Sequence, residues 1–429
     1  MNGGRAKVTS GAAYWTLFVL FLTNVFNVGD RTLLGVVTEP VRLEIGLSDT
    51  EVSLASGFLF VLFNLVGGLF IARLVDTGNR KRILALGLLF WSVATAATGL
   101  AHDFFTLSLA RIGVGVGEAT AFPAAMSMIP DMFRQETRGK AVAVFQSSGM
   151  IGVVGGTILA GLLAAAHGWR IMFVICGVAG VILAAVLAIS VREPVREHSA
   201  SAPTGPYFKE MAAAFRRVAA MPGFAPLALA FGLSAMIGAV LGAWGPAFLQ
   251  RSHGVPLHQV GMLIGPAVGG GGILGTLASG VLSDWLVRRR GVAADMLKVP
   301  LYTLPFAAPF TAGFAFAPSI ALTMFSAFAM NFLLACAVPP CVNYAVTTAD
   351  PGDRAITSTI MLAATGLIGG ALGPFIVGAL SDMLVADLGD ESLRYGISAM
   401  IVTPLLATAC LILAIRRSGA SSPPAMAPA

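Results

Sequence analysis

The sequence predicts an all-α membrane protein in which twelve transmembrane helices form two pseudo-symmetric six-helix bundles. Composition is the first indication: of 429 residues, 56% are hydrophobic and only 11% are charged, whereas soluble domains carry about 25% charged residues. The second indication is a series of apolar stretches long enough to cross a hydrocarbon layer, which needs roughly 20 helical residues. A soluble enzyme, a disordered chain and a nucleic-acid-binding protein are therefore excluded as first interpretations.

Six apolar stretches precede a polar segment of the chain, and six follow it. Each is predicted to form one transmembrane helix, called a span below and numbered in chain order. The predicted spans lie near residues 12–38, 51–72, 83–101, 104–129, 141–166, 170–191, 224–249, 257–282, 298–317, 319–348, 355–380 and 395–415.

The polar segment divides the chain into two halves. Within it, Phe208, Met211 and Phe215 recur at helical spacing next to basic residues, which predicts a short amphipathic helix on the membrane surface. A tail rich in Ser, Pro and Ala is predicted to be disordered. The predicted divisions are an N-terminal six-helix bundle (1–191), a cytoplasmic linker (192–223), a C-terminal six-helix bundle (224–417) and a disordered tail (418–429).

The basic residues predict the orientation in the membrane. Twenty-one of the 27 Lys and Arg residues fall on the side of the N terminus, and only four fall on the opposite side. Such an excess marks the cytoplasmic face, so both termini are predicted to be cytoplasmic, in the inner (plasma) membrane of a bacterium. The net charge of +6 then reflects anchors that face anionic lipid.

The two halves repeat one loop pattern. After span 2, Asp76 follows a small residue by four positions and precedes the basic pair Arg80-Lys81; after span 8, Asp284 has the same spacing to Gly280 and to a pair that begins at Arg288. Two halves in parallel orientation are typical of a transporter with a central site between two bundles.

Further motifs carry a more specific resemblance. They are Asn27-Val-Gly-Asp30-Arg31 in span 1, Arg111-Ile-Gly-Val-Gly-Val-Gly-Glu118-Ala119 in span 4, Pro130-Asp131-Met-Phe133 after it, Val191-Arg-Glu-Pro194, and Gly373-Pro374 with Gly378-Ala-Leu-Ser-Asp382 in span 11. Together they resemble the spinster-like lipid transporters of the major facilitator superfamily. The resemblance implies the major facilitator fold and the transport of sphingosine-1-phosphate or lysophospholipids.

The loop after span 2 resembles the superfamily signature G-x-x-x-D-(R/K)-x-G-(R/K)-(R/K), with Ala72, Thr77 and Asn79 as departures. Asp76 at the cytoplasmic end of this span can cap a neighbouring helix and pair with a basic residue, which would latch the two bundles. The alternative is a solvated turn. The residues predicted for gating and for this cytoplasmic latch are Asp76, Arg80, Lys81, Asp131, Arg138, Asp284 and Arg288.

Four ionisable residues lie inside the predicted spans: Asp30, Arg31, Arg111 and Glu118. A charge at mid-membrane costs roughly 2.5–3.5 kcal/mol on insertion scales and usually serves a function. Arg111 and Glu118 are seven residues apart and therefore project from one helix face. The alternative interpretation is a salt-bridge network that only holds spans 1 and 4 together.

The predicted roles divide by charge. All five histidines fall at or beyond span ends, so a carboxylate must carry any transported proton. Glu118 is the first candidate for proton coupling and Asp30 the second. Arg31 and Arg111 are predicted to bind an anionic headgroup.

The second half contains no charged residue in the middle of its spans. Phe231, Trp244 and Asn331 are predicted to line an apolar cavity there, although single aromatic residues more often pack the core or face lipid. Charges on one wall and apolar groups on the other suit an amphiphile.

The sequence therefore predicts a secondary active transporter, proton-coupled, that moves lysophospholipid or sphingoid-phosphate-like amphiphiles by alternating access. An organic-anion or multidrug major facilitator transporter is the alternative. No catalytic residue, metal or cofactor is indicated, because no nucleophile–base or ligand cluster lies at depth. The predicted partners are an anionic amphiphile, protons and membrane lipids, without nucleic acid, and the protein is predicted to be a monomer.

Overall fold

The computed structural model describes residues 10–196 and 207–419, and in these ranges it contains helices and no strands. Ten segments are long and apolar enough to cross a membrane. The longest two are Gln135–Ser190 and Ile356–Ser418, and each is interrupted at a glycine, Gly168 in the first and Gly389 in the second. Each of them therefore holds two crossings, and the described ranges contain the twelve predicted spans.

The helices follow the predicted spans closely. In the first half they are α1 (Ser10–Val36), α2 (Thr38–Ile45), α3 (Asp49–Ser53), α4 (Leu59–Thr77), α5 (Arg80–Thr98), α6 (Phe104–Glu118), α7 (Ala121–Met132) and α8 (Gln135–Ser190). In the second half they are α9 (Tyr207–Ala219), α10 (Phe224–His253), α11 (Leu257–Arg290), α12 (Lys298–Phe316), α13 (Ile320–Ala335), α14 (Val338–Thr348), α15 (Arg354–Ala364), α16 (Gly373–Leu388), α17 (Ser392–Ser398) and α18 (Thr403–Gly419).

Spans 5 and 6 are joined without a loop. Helix α8 has 56 residues, and within it Gly168 alone has non-helical dihedral angles, φ 81° and ψ 159°. This left-handed φ favours glycine because a Cβ atom would be strained there. The chain therefore reverses direction at one residue.

Contacts divide the described chain into two compact units. The first comprises residues 10–47 and 59–196, and the second comprises residues 48–58 and 207–419. The predicted division near residues 191 and 224 stays a prediction. Helix α9 lies where the amphipathic linker helix is predicted, whereas the predicted disordered tail lies outside the described residues, except for its first two residues, which end α18.

Buried hydrogen bonds fix residues 48–58 in the second unit. Both Asp49 carboxylate oxygens accept hydrogen bonds from the Arg251 guanidinium, at 2.8 and 2.7 Å. The Asp382 carboxylate accepts from the backbone N–H groups of Asp49 and Thr50, at 2.9 and 2.7 Å. These N–H groups begin α3, where a helix has unsatisfied donors and favours negative charge.

Side chains next to the turn at Gly168 tie three connections of the first unit together. Arg170, after the turn at Gly168, donates to Glu44 at 2.7 Å and to the carbonyls of Gly99 and Ala101 at 3.1 and 2.5 Å. The Trp169 indole donates to Glu44 at 2.6 Å. Hydrogen bonds from Arg170 and Trp169 hold the pKa of the Glu44 carboxyl below its ordinary value.

Glycines bring α1 and α8 into backbone contact within the first unit. A Cβ atom on Gly156 would lie 2.7 Å from Gly29 Cα and 2.9 Å from the Gly29 carbonyl oxygen. The neighbouring Gly155 points into open space, with no described atom within 4 Å of such a Cβ. Small residues at a contact allow two helices to approach closely.

We expect Gly156→Ala to destabilise the protein by about 1–3 kcal/mol, because overpacking of this size forces backbone shifts. Gly155→Ala is the matched control and should change stability by less than about 0.5 kcal/mol. Thermal unfolding of both variants in detergent measures the difference. Equal melting temperatures for the two variants would contradict the close contact.

Candidate functional site

The structure brings the four predicted intramembrane charges together in the first unit. Asp30 and Arg31 lie on α1, whereas Arg111 and Glu118 lie on α6. Asp30, Arg111 and Glu118 are buried, and the Arg31 side chain is 44% exposed. Burial of three charges in one helix bundle requires that each be compensated by a partner.

Arg31 and Glu118 form the main ion pair of this group. Arg31 Nε lies 2.7 Å from Glu118 Oε2, and Arg31 also donates to Asn27 Oδ1 at 3.2 Å. The Asn27 amide donates in turn to the Glu118 backbone carbonyl at 3.3 Å. Glu118 is the last residue of α6, where carbonyls lack helical partners, so Asn27 satisfies the helix end and orients Arg31.

Arg111 is buried without a full set of partners. It is 1% exposed, and its Nε and Nη1 atoms have no hydrogen-bond partner among the described residues. Its guanidinium carbon lies 5.1 Å from the centre of the Phe60 ring, and that of Arg31 lies 5.5 Å from the same ring. Cation–π contacts compensate a buried cation only in part, so Arg111 retains N–H groups that can bind an anion.

Asp30 is held on one side only. Its Oδ2 atom accepts a hydrogen bond from the Thr95 hydroxyl, while Oδ1 has no partner in the part of the chain that the structure describes. Thr95 and Phe60 are residues of this site that the sequence analysis missed. A neutral Thr or Phe can lie in a span without a large free-energy cost, so neither residue stands out in the sequence.

Arg80, the first residue of α5, organises a second polar cluster in the first unit. It is 1% exposed, pairs with Asp131, and donates to Glu193 at 2.7 Å and to the carbonyls of Ser127 and Pro194 at 2.9 and 2.6 Å. This single guanidinium therefore joins the start of span 3 to the ends of spans 4 and 6.

The other predicted latch residues are placed differently. Lys81 contributes its backbone N–H, which donates to Glu193 at 2.7 Å, and Arg138 donates to the Pro130 carbonyl at 3.0 Å. Asp76 is exposed, and its backbone carbonyl, not its carboxylate, accepts a hydrogen bond from Arg196.

The repeated pattern does not repeat these contacts. Asp284 and Arg288 are exposed, and their side chains make no hydrogen bond or ion pair with the described residues. Among the predicted latch residues, all of which lie in the described ranges, Arg80 and Asp131 pair within a single unit, so the latch between the two bundles stays a prediction.

The residues predicted to line an apolar cavity lie in the interior of the second unit. Phe231 and Trp244 are fully buried, and the Trp244 indole donates to the Pro374 carbonyl at 2.9 Å. An indole with a satisfied N–H and almost no exposed surface is packed in the interior, and the lining of a cavity by these residues stays a prediction. Asn331 is buried with its amide nitrogen unpartnered among the described residues.

Comparison with known proteins places this architecture among transporters. The family model described as Major Facilitator Superfamily matches residues 20–374. A crystal structure of a bacterial homolog of the human lysosomal transporter Spinster, inward-facing and unoccupied, superposes with a TM-score of 0.86. It has 26% sequence identity and covers 98% of this chain and 100% of that one.

Sequence relatives cover a similar extent. An MFS-type efflux pump of Mycolicibacterium smegmatis is 30% identical over 421 residues, which is 94% of this chain and 93% of that protein. A probable L-galactonate transporter of Escherichia coli is 33% identical over 290 residues, which is 63% of this chain and 62% of that protein.

We expect Arg80→Ala to lower the free energy of unfolding by about 3–5 kcal/mol, because it leaves two carboxylates and two carbonyls without their shared donor. Arg288→Ala, at the equivalent position of the second half, should have an effect below about 0.5 kcal/mol. Thermal unfolding in detergent at neutral pH compares them. A similar loss of stability in both variants would show that the Arg80 cluster contributes little.

Proposed function

Since the chain belongs to the major facilitator superfamily, and within it to the spinster-like transporters, we propose that it moves lysophospholipid or sphingoid-phosphate-like amphiphiles. In this proposal the transport is secondary active, proton-coupled and proceeds by alternating access. The membrane is a bacterial inner membrane with both protein termini in the cytoplasm, and the transporter is a monomer.

The observation that carries the proposal is the incompletely hydrogen-bonded guanidinium of Arg111. A buried guanidinium with two unpartnered N–H-bearing atoms is costly in an apolar setting. A phosphate group offers several charge-assisted acceptors, and such hydrogen bonds are the strong ones. We infer that the anionic headgroup of the substrate binds Arg111.

The ion pair between Arg31 and Glu118 supplies a route to proton coupling. While Glu118 is ionised, its Oε2 atom holds Arg31 Nε at 2.7 Å. A proton on Glu118 removes the charge that attracts Arg31 and frees the guanidinium for the headgroup. Asp30 and Arg111 are the other charged groups that act on Glu118. Because the four charges sum to zero, one added proton offsets the negative charge that the substrate adds. Proton and substrate then bind together, as symport requires.

The second half of the chain favours a long apolar substrate. Its spans carry no charge in their middles, so a polar solute would find few partners there. An alkyl chain needs no polar partner. This pattern is the reason to prefer an amphiphile over a soluble anion.

A soluble organic anion is the second candidate. The relative from Escherichia coli is described as a probable L-galactonate transporter, and a sugar acid presents a carboxylate to which Arg111 could donate equally well. The two candidates share the anion site and differ in the apolar part of the substrate.

Uptake into proteoliposomes separates these candidates. We expect concentrative uptake of a labelled lysophospholipid and none of L-galactonate. Arg111→Gln should reduce lysophospholipid uptake at least about tenfold, because a hydrogen bond to a charged group contributes about 1.5–3 kcal/mol. The control is Arg416→Gln, which removes one positive charge at an exposed position. Uptake of L-galactonate alone would overturn the lipid assignment and favour the second candidate.

Proton coupling is tested by imposing a pH gradient across the same vesicles. We expect the gradient to stimulate uptake by the wild type but not by Glu118→Gln, in which the amide mimics the protonated acid. Asp30→Asn should weaken the response, and Glu136→Gln, exposed at the start of α8, should leave it unchanged. Full gradient dependence in both Glu118→Gln and Asp30→Asn would refute coupling through these carboxylates.

A further inference from the structure

One aromatic ring lies beside two cations in the first unit. Phe60, the second residue of α4, is 6% exposed. The guanidinium carbon of Arg111 lies over its ring at 5.1 Å from the ring centre, and that of Arg31 lies over it at 5.5 Å. The face of an aromatic ring carries negative charge and attracts a cation within about 6 Å of the centre. Phe60 therefore interacts with both residues that are predicted to bind an anionic headgroup.

Helix α6 fixes the backbone of Phe60. A Cβ atom on Gly115 would lie 2.7 Å from the Phe60 carbonyl oxygen, so this contact requires a residue without a side chain. Asn64, one turn after Phe60, donates a hydrogen bond to the Gly115 carbonyl at 2.9 Å. Arg111 lies one turn before Gly115 on α6. These backbone contacts hold Phe60 beside Arg111, and a change confined to the ring leaves them in place.

For Arg31, the ring is a partner whose attraction does not depend on the protonation of Glu118. Arg31 Nε is held at 2.7 Å by the Glu118 carboxylate, and Arg31 also donates to Asn27 at 3.2 Å. A proton on Glu118 weakens the first contact, because it removes the negative charge. The Arg31 side chain is 44% exposed, so it can then turn towards water unless Asn27 and the ring retain it.

For Arg111, the ring competes with two carboxylates. Arg111 interacts electrostatically with Asp30 and Glu118, and each of these has one oxygen atom without a hydrogen-bond partner among the described residues. A full ion pair with either carboxylate would use N–H groups of Arg111. An aromatic ring attracts the cation but offers no lone pair, so it leaves these donors available.

We propose that Phe60 is a positioning residue of the anion site, and that its ring face holds Arg31 and Arg111 with their N–H groups available to the substrate headgroup. The inference rests on the proposed function in one respect, that these two arginines bind an anion. It goes further by naming the residue that keeps both cations in place. The affinity for an anion should then depend on the charge distribution of the ring at position 60 and not on its volume alone.

Fluorination of the ring separates charge distribution from volume. Stop-codon suppression places mono-, di- or trifluorinated phenylalanine at position 60. Each fluorine withdraws electron density from the ring face and changes the volume little, so the cation–π attraction falls stepwise while packing is kept. Equilibrium binding of labelled hexyl phosphate is measured on the purified protein in phosphatidylcholine nanodiscs at neutral pH. We expect the Kd to rise stepwise, by about threefold to tenfold over the series.

Phe145 is the matched control position. It is 1% exposed in the same unit, and its described ring contact is with Phe122, at 6.2 Å between ring centres, and not with a cation. The same fluorinated residues at position 145 should leave the Kd for hexyl phosphate unchanged.

Uptake of labelled lysophospholipid into proteoliposomes supplies a second measurement. We expect Phe60→Leu to raise the KM at least about threefold, because leucine has no ring face, with the maximal rate within about twofold of the wild type. Phe60→Tyr keeps the ring face and should keep the KM. If Phe60→Leu lowers the melting temperature, the fluorinated series decides, since it retains the packing.

Three outcomes would overturn the inference: no binding of hexyl phosphate to the wild type, a Kd that stays constant over the series at position 60, or an equal rise at position 145. A stepwise rise in the Kd without any lysophospholipid uptake would count against the proposed function alone. Uptake with the same KM for every ring at position 60 and for Phe60→Leu would count against this inference alone.

Discussion

The hydrocarbon interior sets a condition that every charged group of this protein must meet: a charge that leaves water must find a partner inside the helix bundle. In the first unit, a few side chains act as partners for several charged groups. Glu118 holds Arg31, Asn27 joins the two, and the Phe60 ring lies beside both guanidinium groups. Among these four charged residues, Arg111, Asp30 and Glu118 keep atoms without a described partner, and the proposed anion and proton sites lie there.

The same condition explains why the fold was predictable from sequence. Apolar length alone locates the spans, because a backbone in hydrocarbon must form helices, and basic residues indicate which connections face anionic lipid. The turn at Gly168 falls where two apolar stretches meet. The break in span 4 after Glu118 has no such signal, since Ala119 and Thr120 are compatible with a continuous helix.

The site was predictable as a set of residues but not as a set of contacts. Ionisable residues stand out in an apolar span, and helical spacing tells which of them share a face. Spacing does not tell which neighbour across the bundle they meet, so the pairing of Arg31 with Glu118 and that of Arg80 with Glu193 required the structure. For Trp244, the sequence could not distinguish an aromatic wall from a packed core, because both are apolar.

The hydrogen bonds of Arg170 have a structural consequence. One side chain fastens the connection after span 1, the connection after span 3 and the turn between spans 5 and 6. While these hydrogen bonds last, the three connections can move only together.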